Sequence, residues 1–191
     1  MSQDSRTKIQ ESRQRYLSLF LKAVGFLGLL LCSYDSDAQQ LDTFNYSYLK
    51  FGDVYEFYQS KDINIIAAEN PDLYFEVFSW LNTPYHWGGK SQNGIDCSAF
   101  TAVVCNKIYH TQLGGAVGDI FKHCTEIQPT DLVEGDLVFF NIKGKYLAHI
   151  GIYLQNDQFA HAAVHGGVIV SSLKDAYYKR WFYKAARLHE E

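Results

Sequence analysis

Residues 147–163 run LAHIGIYLQNDQFAHAA, and the reading of this stretch decides the fold. Ala148, Ile150, Ile152 and Leu154 alternate with His149, Gly151 and Tyr153, the period-two pattern of a strand with one apolar and one mixed face. A polar break, QND, separates it from a second strand, QFAHAA. Working outward, DLVFFN (136–141) and VIVSS (168–172) are further strands bounded by turn residues. Toward the N-terminus the period changes. PDLYFEVFSWLN (71–82) sets Leu73, Val77, Phe78 and Leu81 at helical spacing behind a first-turn Pro71. CSAFTAVVCNKIY (97–109) predicts a second helix, with Phe100, Val103, Val104 and Ile108 on one stripe, after a loop marked by Asn93-Gly94. LGGAVGD (113–119) is a Gly-rich connection. Helices first and strands later predict an α+β domain built on a mostly antiparallel sheet.

The hairpin over 147–163 also places two histidines. An odd-length loop centred on Gln155 makes His149 and His161 direct cross-strand neighbours on one face, with Cβ atoms about 5 Å apart. A two-residue turn at Asn156-Asp157 would send them to opposite faces. In the first register His161 orients the His149 ring, as the third member of a nucleophile–base–orienter set. Gly151, bare beside His149, leaves room there for a substrate or a reacting sulfur.

At 191 residues the chain holds one domain with a sizeable core and an additional segment. A formal net charge of −4 provides no basic footprint for nucleic acid. Arg6, Lys8, Arg13 and Arg15, the apolar run AVGFLGLLL (23–31) and the small residues Ser36 and Ala38 make residues 1–38 an export signal ending before Gln39. The alternatives are retention as an anchor, against which Lys22 interrupts the apolar run, or lipidation at Cys32. Loss of residues 1–38 leaves 12 basic and 17 acidic residues, a net −5. Residues 39–70, polar and aromatic without clear period, form an N-terminal extension that wraps the domain at 71–190.

After export three cysteines remain, Cys97, Cys105 and Cys124, so at least one thiol is free in an oxidising compartment. On one helix Cys97 and Cys105 stand about 12 Å apart along the axis, too far for a disulfide. Cys105–Cys124 and Cys97–Cys124 stay open, and Cys97 is the thiol with a reason to stay reduced. A helix N-terminus presents unpaired N–H groups and partial positive charge, which favour a thiolate and can receive the oxyanion formed when it attacks a carbonyl.

These residues carry a family resemblance. TPYHWGGKSQNGIDCSAF (83–100), GDLVFF (135–140) and HIGIYLQNDQFAHA (149–162) resemble, in order and spacing, the motifs of the NlpC-type cell-wall cysteine peptidases, a compact papain-like group. The resemblance covers roughly residues 71–190. It implies a papain-like domain with Cys97 as nucleophile at a helix start, His149 as base, His161 as polar third member and Tyr85 supplying a hydroxyl near the oxyanion hole. Asp96 and Ser98, flanking the nucleophile, resemble residues that in some members hold the free amine of a peptidoglycan stem peptide. Ala99, where the family most often has Gly, is a departure that touches the substrate details. The implied reaction is amide hydrolysis of peptidoglycan peptides through a Cys97 thioester in the bacterial envelope, with no metal or cofactor. Membrane association would come only through an uncleaved or lipidated N-terminus.

Other readings stand beside this one. An amidase or acyltransferase could use the same scaffold, and a non-catalytic wall-binding module could keep the fold. A zinc site on His161, His165 and His86 or His149 would need a helix at 161–165, which Gly166-Gly167 and the strand pattern oppose. Trp80 and Trp87 are read as core, and His86 as a groove or loop residue.

Overall fold

A computed structural model describes residues 51–144 and 146–189. The export signal and residues 39–50 of the extension lie outside the described residues. The chain divides into two compact units, residues 1–71 and 72–191.

In the first unit residues 51–59 are helical, a departure from the aperiodic reading of this stretch. Val54 and Tyr58, four apart on that helix, are fully buried. The aromatic residues around them mask this short i, i+4 pair in the sequence. Asn64 then closes a turn by accepting from the N–H groups of Ile66 (3.1 Å) and Ala67 (3.3 Å).

Helix α1 (Pro71–Trp80) begins at the boundary residue, and in the second unit it is followed by a two-stranded hairpin, β1 (Lys90–Ser91) and β2 (Gly94–Ile95). Helix α2 (Cys97–Tyr109) follows, then a short helix α3 (Val117–Phe121) and strand β3 (Cys124–Ile127). The remaining strands are β4 (Leu137–Phe140), β5 (His149–Tyr153), β6 (Gln158–Ala163) and β7 (Gly167–Ser172). Helix α4 (Ala176–Trp181) and strand β8 (Phe182–Leu188) complete the order. The predicted α+β class is what forms, around a six-stranded sheet ordered β3-β8-β4-β5-β6-β7 in which every recorded pairing is antiparallel.

Strand β4 sits inside the sheet and reads LVFF because both its faces are covered. All four of its residues are fully buried. Phe139 meets Phe121 edge-on at 5.1 Å, while Phe140 packs against Phe159, Tyr178 and Phe182. Four apolar side chains withdrawn from water contribute roughly 1.5–3 kcal/mol each, which makes this strand the anchor of the sheet.

Helix α2 packs on β5 and β6. Its buried face runs through Cys97, Phe100, Thr101, Val104 and Cys105, with Ala102 alongside. Val103 and Ile108, expected on that stripe, are only partly buried. The face is thus rotated toward the nucleophile candidate, because Cys97 itself is a packing residue. The Gly-rich connection at 113–119 ends in the first residues of α3, where the Asp119 side chain accepts from Ala116 N–H at 3.0 Å.

Candidate active site

Asp96 begins the site. Its backbone is extended (φ −94°, ψ 173°), and its Oδ1 accepts from Ala99 N–H at 2.8 Å, so it is the N-cap that starts α2 at Cys97. Oδ1 also accepts from Ser98 Oγ at 2.9 Å, and Oδ2 accepts from Gly88 N–H at 2.9 Å. That last bond ties the cap to the loop carrying Tyr85. The loop is built by close approach: a Cβ at Gly89 would stand 2.4 Å from Gly94 O, and one at Gly94 would stand 2.6 Å from His86 Cβ. Tyr85 bridges to Ile95, and its hydroxyl lies close enough to Cys97 and Asp96 for both to raise its pKa after burial has done so.

The Cys97 sulfur is buried beside the backbone N–H groups of Ile150 and Ser98. Burial first, and the Asp96 carboxylate second, push its thiol up to about 11, against the lowering effect of those N–H groups. The helix-start N–H groups of Cys97 and Ser98 act in the expected direction, toward the thiolate, but desolvation and the neighbouring negative charge outweigh them. Cys97, Cys105 and Cys124 are all free thiols.

Ile150 follows His149 on β5, so the sulfur lies against the backbone of that strand, one residue from the histidine. His149 and His161 are buried, and His149 Nε2 lies 2.8 Å from His161 Nδ1. Burial lowers the His149 imidazole to about 4 and holds His161 well below the ordinary histidine range, His149 adding to the latter effect. Both rings rest neutral at pH 7.

The two histidines share a face, as the odd-length loop predicts, but they do not face each other directly. Ile152 pairs with Ala160 and Tyr153 with Phe159, a register that carries His161 opposite Gly151. The reason lies in the turn. Asn156 and Asp157 both take positive φ (52° and 63°), with Gln158 N–H bonded to Gln155 O, as in a two-residue hairpin turn. Leu154 N–H, however, reaches Gln158 O, which leaves Gln155 as an extra bulged residue. The bulge restores the parity that the bare turn would have broken. The pair therefore meets diagonally across the strands, within reach of ring side chains.

Gly151 also serves differently from the expectation. A Cβ there would stand 2.6 Å from Phe159 Cδ2 and 2.9 Å from Ala160 O, so protein rather than substrate fills the space. Trp80 is core, with Nε1 donating to Glu76 at 2.9 Å, but Trp87 is 85% exposed and not core as read. His86 and His165 are exposed.

Two residues that sequence reasoning missed complete the cluster. His161 Nε2 lies 3.0 Å from Ser171 Oγ on β7, and Ser171 stands near enough to the Tyr178 phenol on α4 to oppose the rise that burial gives its pKa. Phe159 stacks on His161 at 4.7 Å while Tyr178 meets the same ring edge-on at 5.1 Å. The only signal in the sequence is that Ser171 keeps the strand parity of Ile169, which pairs with His161. A buried thiol, helix-start N–H groups and a hydrogen-bonded pair of neutral imidazoles form a set suited to acyl transfer.

Comparison with known proteins agrees with this chemistry. A family model described as the NlpC/P60 family matches residues 82–187. A probable endopeptidase NlpC of Escherichia coli (strain K12) is 38% identical over 130 residues, covering 68% of this chain and 82% of that protein. A Staphylococcus aureus subsp. aureus Mu50 crystal structure, described as similar to lipoprotein of the NLP/P60 family, matches with TM-score 0.56 and 28% identity. It covers 62% of this chain, which spans 41% of that one. The NlpC/p60 domain of the peptidoglycan hydrolase SagA matches over its whole length and 66% of this chain, with TM-score 0.52 and 28% identity.

Proposed function

This chain belongs to the NlpC/P60 family and is a cysteine-type peptidase of papain-like fold, and we propose that it cleaves an amide bond of peptidoglycan peptides through Cys97. The observation that carries the reading is the buried sulfur at the start of α2 beside the N–H of Ile150, the residue that follows His149, whose ring is bonded to His161.

In the proposed reaction the Cys97 proton passes to His149 Nδ1, the ring nitrogen left free by the bond between Nε2 and His161. The sulfur adds to the scissile carbonyl. Its oxygen is received by the Cys97 and Ser98 N–H groups, which as first-turn donors have no intrahelical acceptor, and by the Tyr85 hydroxyl. Collapse expels the amine, which takes the proton from His149, and leaves a Cys97 thioester. Water, deprotonated by His149, then hydrolyses the thioester and regenerates the thiol.

Asp96 is proposed to hold the substrate's free amine with Ser98. Its oxygens already take three donors, but an ionised carboxylate has about four acceptor sites. Residues 1–38 are proposed to direct export, so that the enzyme acts at the cell wall. Membrane association would arise only through an uncleaved or lipidated N-terminus. No described helix is long and apolar enough to cross a membrane.

The test incubates the purified protein with muropeptides and identifies products by mass spectrometry, beside a Cys97→Ala control. Expected are two peptide fragments from the wild type and none from the variant. Transfer to an added amine in place of hydrolysis would indicate an acyltransferase, and undiminished hydrolysis by Cys97→Ala would end the proposal.

A further inference from the structure

The hydrogen-bond chain does not stop at the third member, and its direction matters. For His149 Nδ1 to receive the Cys97 proton, the resting His149 must carry its own proton on Nε2. That N–H then donates to His161 Nδ1, 2.8 Å away, so His161 Nδ1 must be bare. A neutral imidazole has one N–H, and His161 must therefore hold its proton on Nε2. Nε2 faces Ser171 Oγ at 3.0 Å, which has to accept. The Ser171 hydroxyl hydrogen must then point elsewhere, and the Tyr178 phenol oxygen stands ready to take it. Reversing one link reverses them all. If Ser171 donated to His161, the His161 proton would sit on Nδ1, the His149 proton would move to Nδ1, and the nitrogen to which the proposed reaction assigns the thiol proton could accept nothing.

We infer that Ser171, oriented by Tyr178, is a positioning residue that sets the tautomer of His161 and through it the tautomer that lets His149 act as base. The two residues come from different elements, β7 and α4, and converge on a ring that is itself fully buried. Water cannot readily substitute for Ser171 at that ring: Phe159 lies on one side of it and Tyr178 on its edge. Turning the His161 ring over would put Cδ2 and Cε1 where Nδ1 and Nε2 stand and break both bonds. This inference rests on the proposed function only for the meaning of activity; the tautomer itself can be read without substrate.

The experiment compares wild type, Ser171→Ala, Ser171→Thr and Tyr178→Phe. Heteronuclear NMR of the imidazole nitrogens reports the tautomers, and muropeptide hydrolysis reports kcat and KM. In the wild type His161 is expected to carry its proton on Nε2. Ser171→Ala is expected to lower kcat about tenfold with KM within about twofold, the scale of one buried donor left unsatisfied. It should also show His161 partly protonated on Nδ1. Ser171→Thr, which keeps the hydroxyl on a strand that suits it, should recover most of the loss. Tyr178→Phe, which keeps the ring but frees the Ser171 hydrogen to turn toward His161, should lower kcat by about threefold with the same tautomer signature. Wild-type His161 protonated on Nδ1 would overturn the inference. So would normal kcat in Ser171→Ala, or a threonine variant no better than alanine. Should Ser171→Ala fail to fold, the wild-type and Tyr178→Phe spectra still decide. A wild type that leaves muropeptides intact would sink the proposed function while leaving the tautomer test standing.

Discussion

Asp96 caps α2, fixes Ser98 and anchors the Tyr85 loop with a single carboxylate, yet its charge works against the residue next to it. Ionising Cys97 places two negative charges side by side, and after burial this is the larger of the effects that hold the thiol protonated. Structure and reactivity therefore pull in opposite directions at this residue. Asp96→Asn removes the charge and keeps the cap, since the amide oxygen still accepts from Ala99 N–H, at the cost of the bond from Gly88 N–H, which the amide NH2 cannot accept. We expect iodoacetamide to alkylate Cys97 about threefold or more faster in the variant at pH 8, from the removed charge. Hydrolysis of stem peptides bearing a free amine should fall at the same time, because their counter-charge is lost. Alkylation no faster than wild type would show that the carboxylate does not oppose the thiolate.

At the scale of the element, the β5–β6 hairpin is where sequence reading was closest and still missed. Alternation gives both strands and the shared face of His149 and His161. The bulge at Gln155 is invisible, because it depends on which carbonyl takes the Leu154 and Gln158 N–H groups, and QND is compatible with several answers. The role of Gly151 follows from the same register. It is bare because Phe159 and the Ala160 carbonyl press against it, with His161 across from it. Gly151→Ala is expected to force the strands apart, lowering stability by about 2 kcal/mol as overpacking does, and to remove most activity by lengthening the His149–His161 bond. Gly118→Ala makes the control, since the nearest atom to its added Cβ is 4.0 Å away. It should be neutral or slightly stabilising by urea denaturation. Equal midpoints for the two variants would mean that the close approach at Gly151 carries no cost.

Across the whole molecule, legibility follows burial. LVFF and the alternating strands show in the sequence because they lie inside the sheet, and the nucleophile helix shows because its apolar face is long. The outer elements do not. CTEI pairs with β8 only and keeps Thr125 and Glu126 exposed, so it lacks a pattern. FYKAARL is the exception, an inner strand between β3 and β4 that the sequence hides because Arg187 sits in it to pair with buried Asp136, through Nε and Nη2 at 2.7 Å each. The same burial that makes the site has a thermodynamic consequence for the entire fold. Folding takes His149 from an ordinary imidazole near 6.5 to one lowered to about 4, and His161 moves in the same direction. As pH falls below 6.5 the unfolded chain therefore binds protons that the folded chain refuses. Stability is full above pH 6.5 and declines toward pH 4, by about 2–3 kcal/mol from His149 alone at pH 4.5. Urea midpoints at pH 7.5, 5.5 and 4.5 measure this decline, and the range stays largely above the usual carboxylate values near 4. His149→Gln removes one of the two groups, and its midpoint should fall less steeply with acid than that of the wild type. Parallel slopes would mean that His149 takes up its proton as readily folded as unfolded, and the buried neutral pair on which the proposed base depends would not exist.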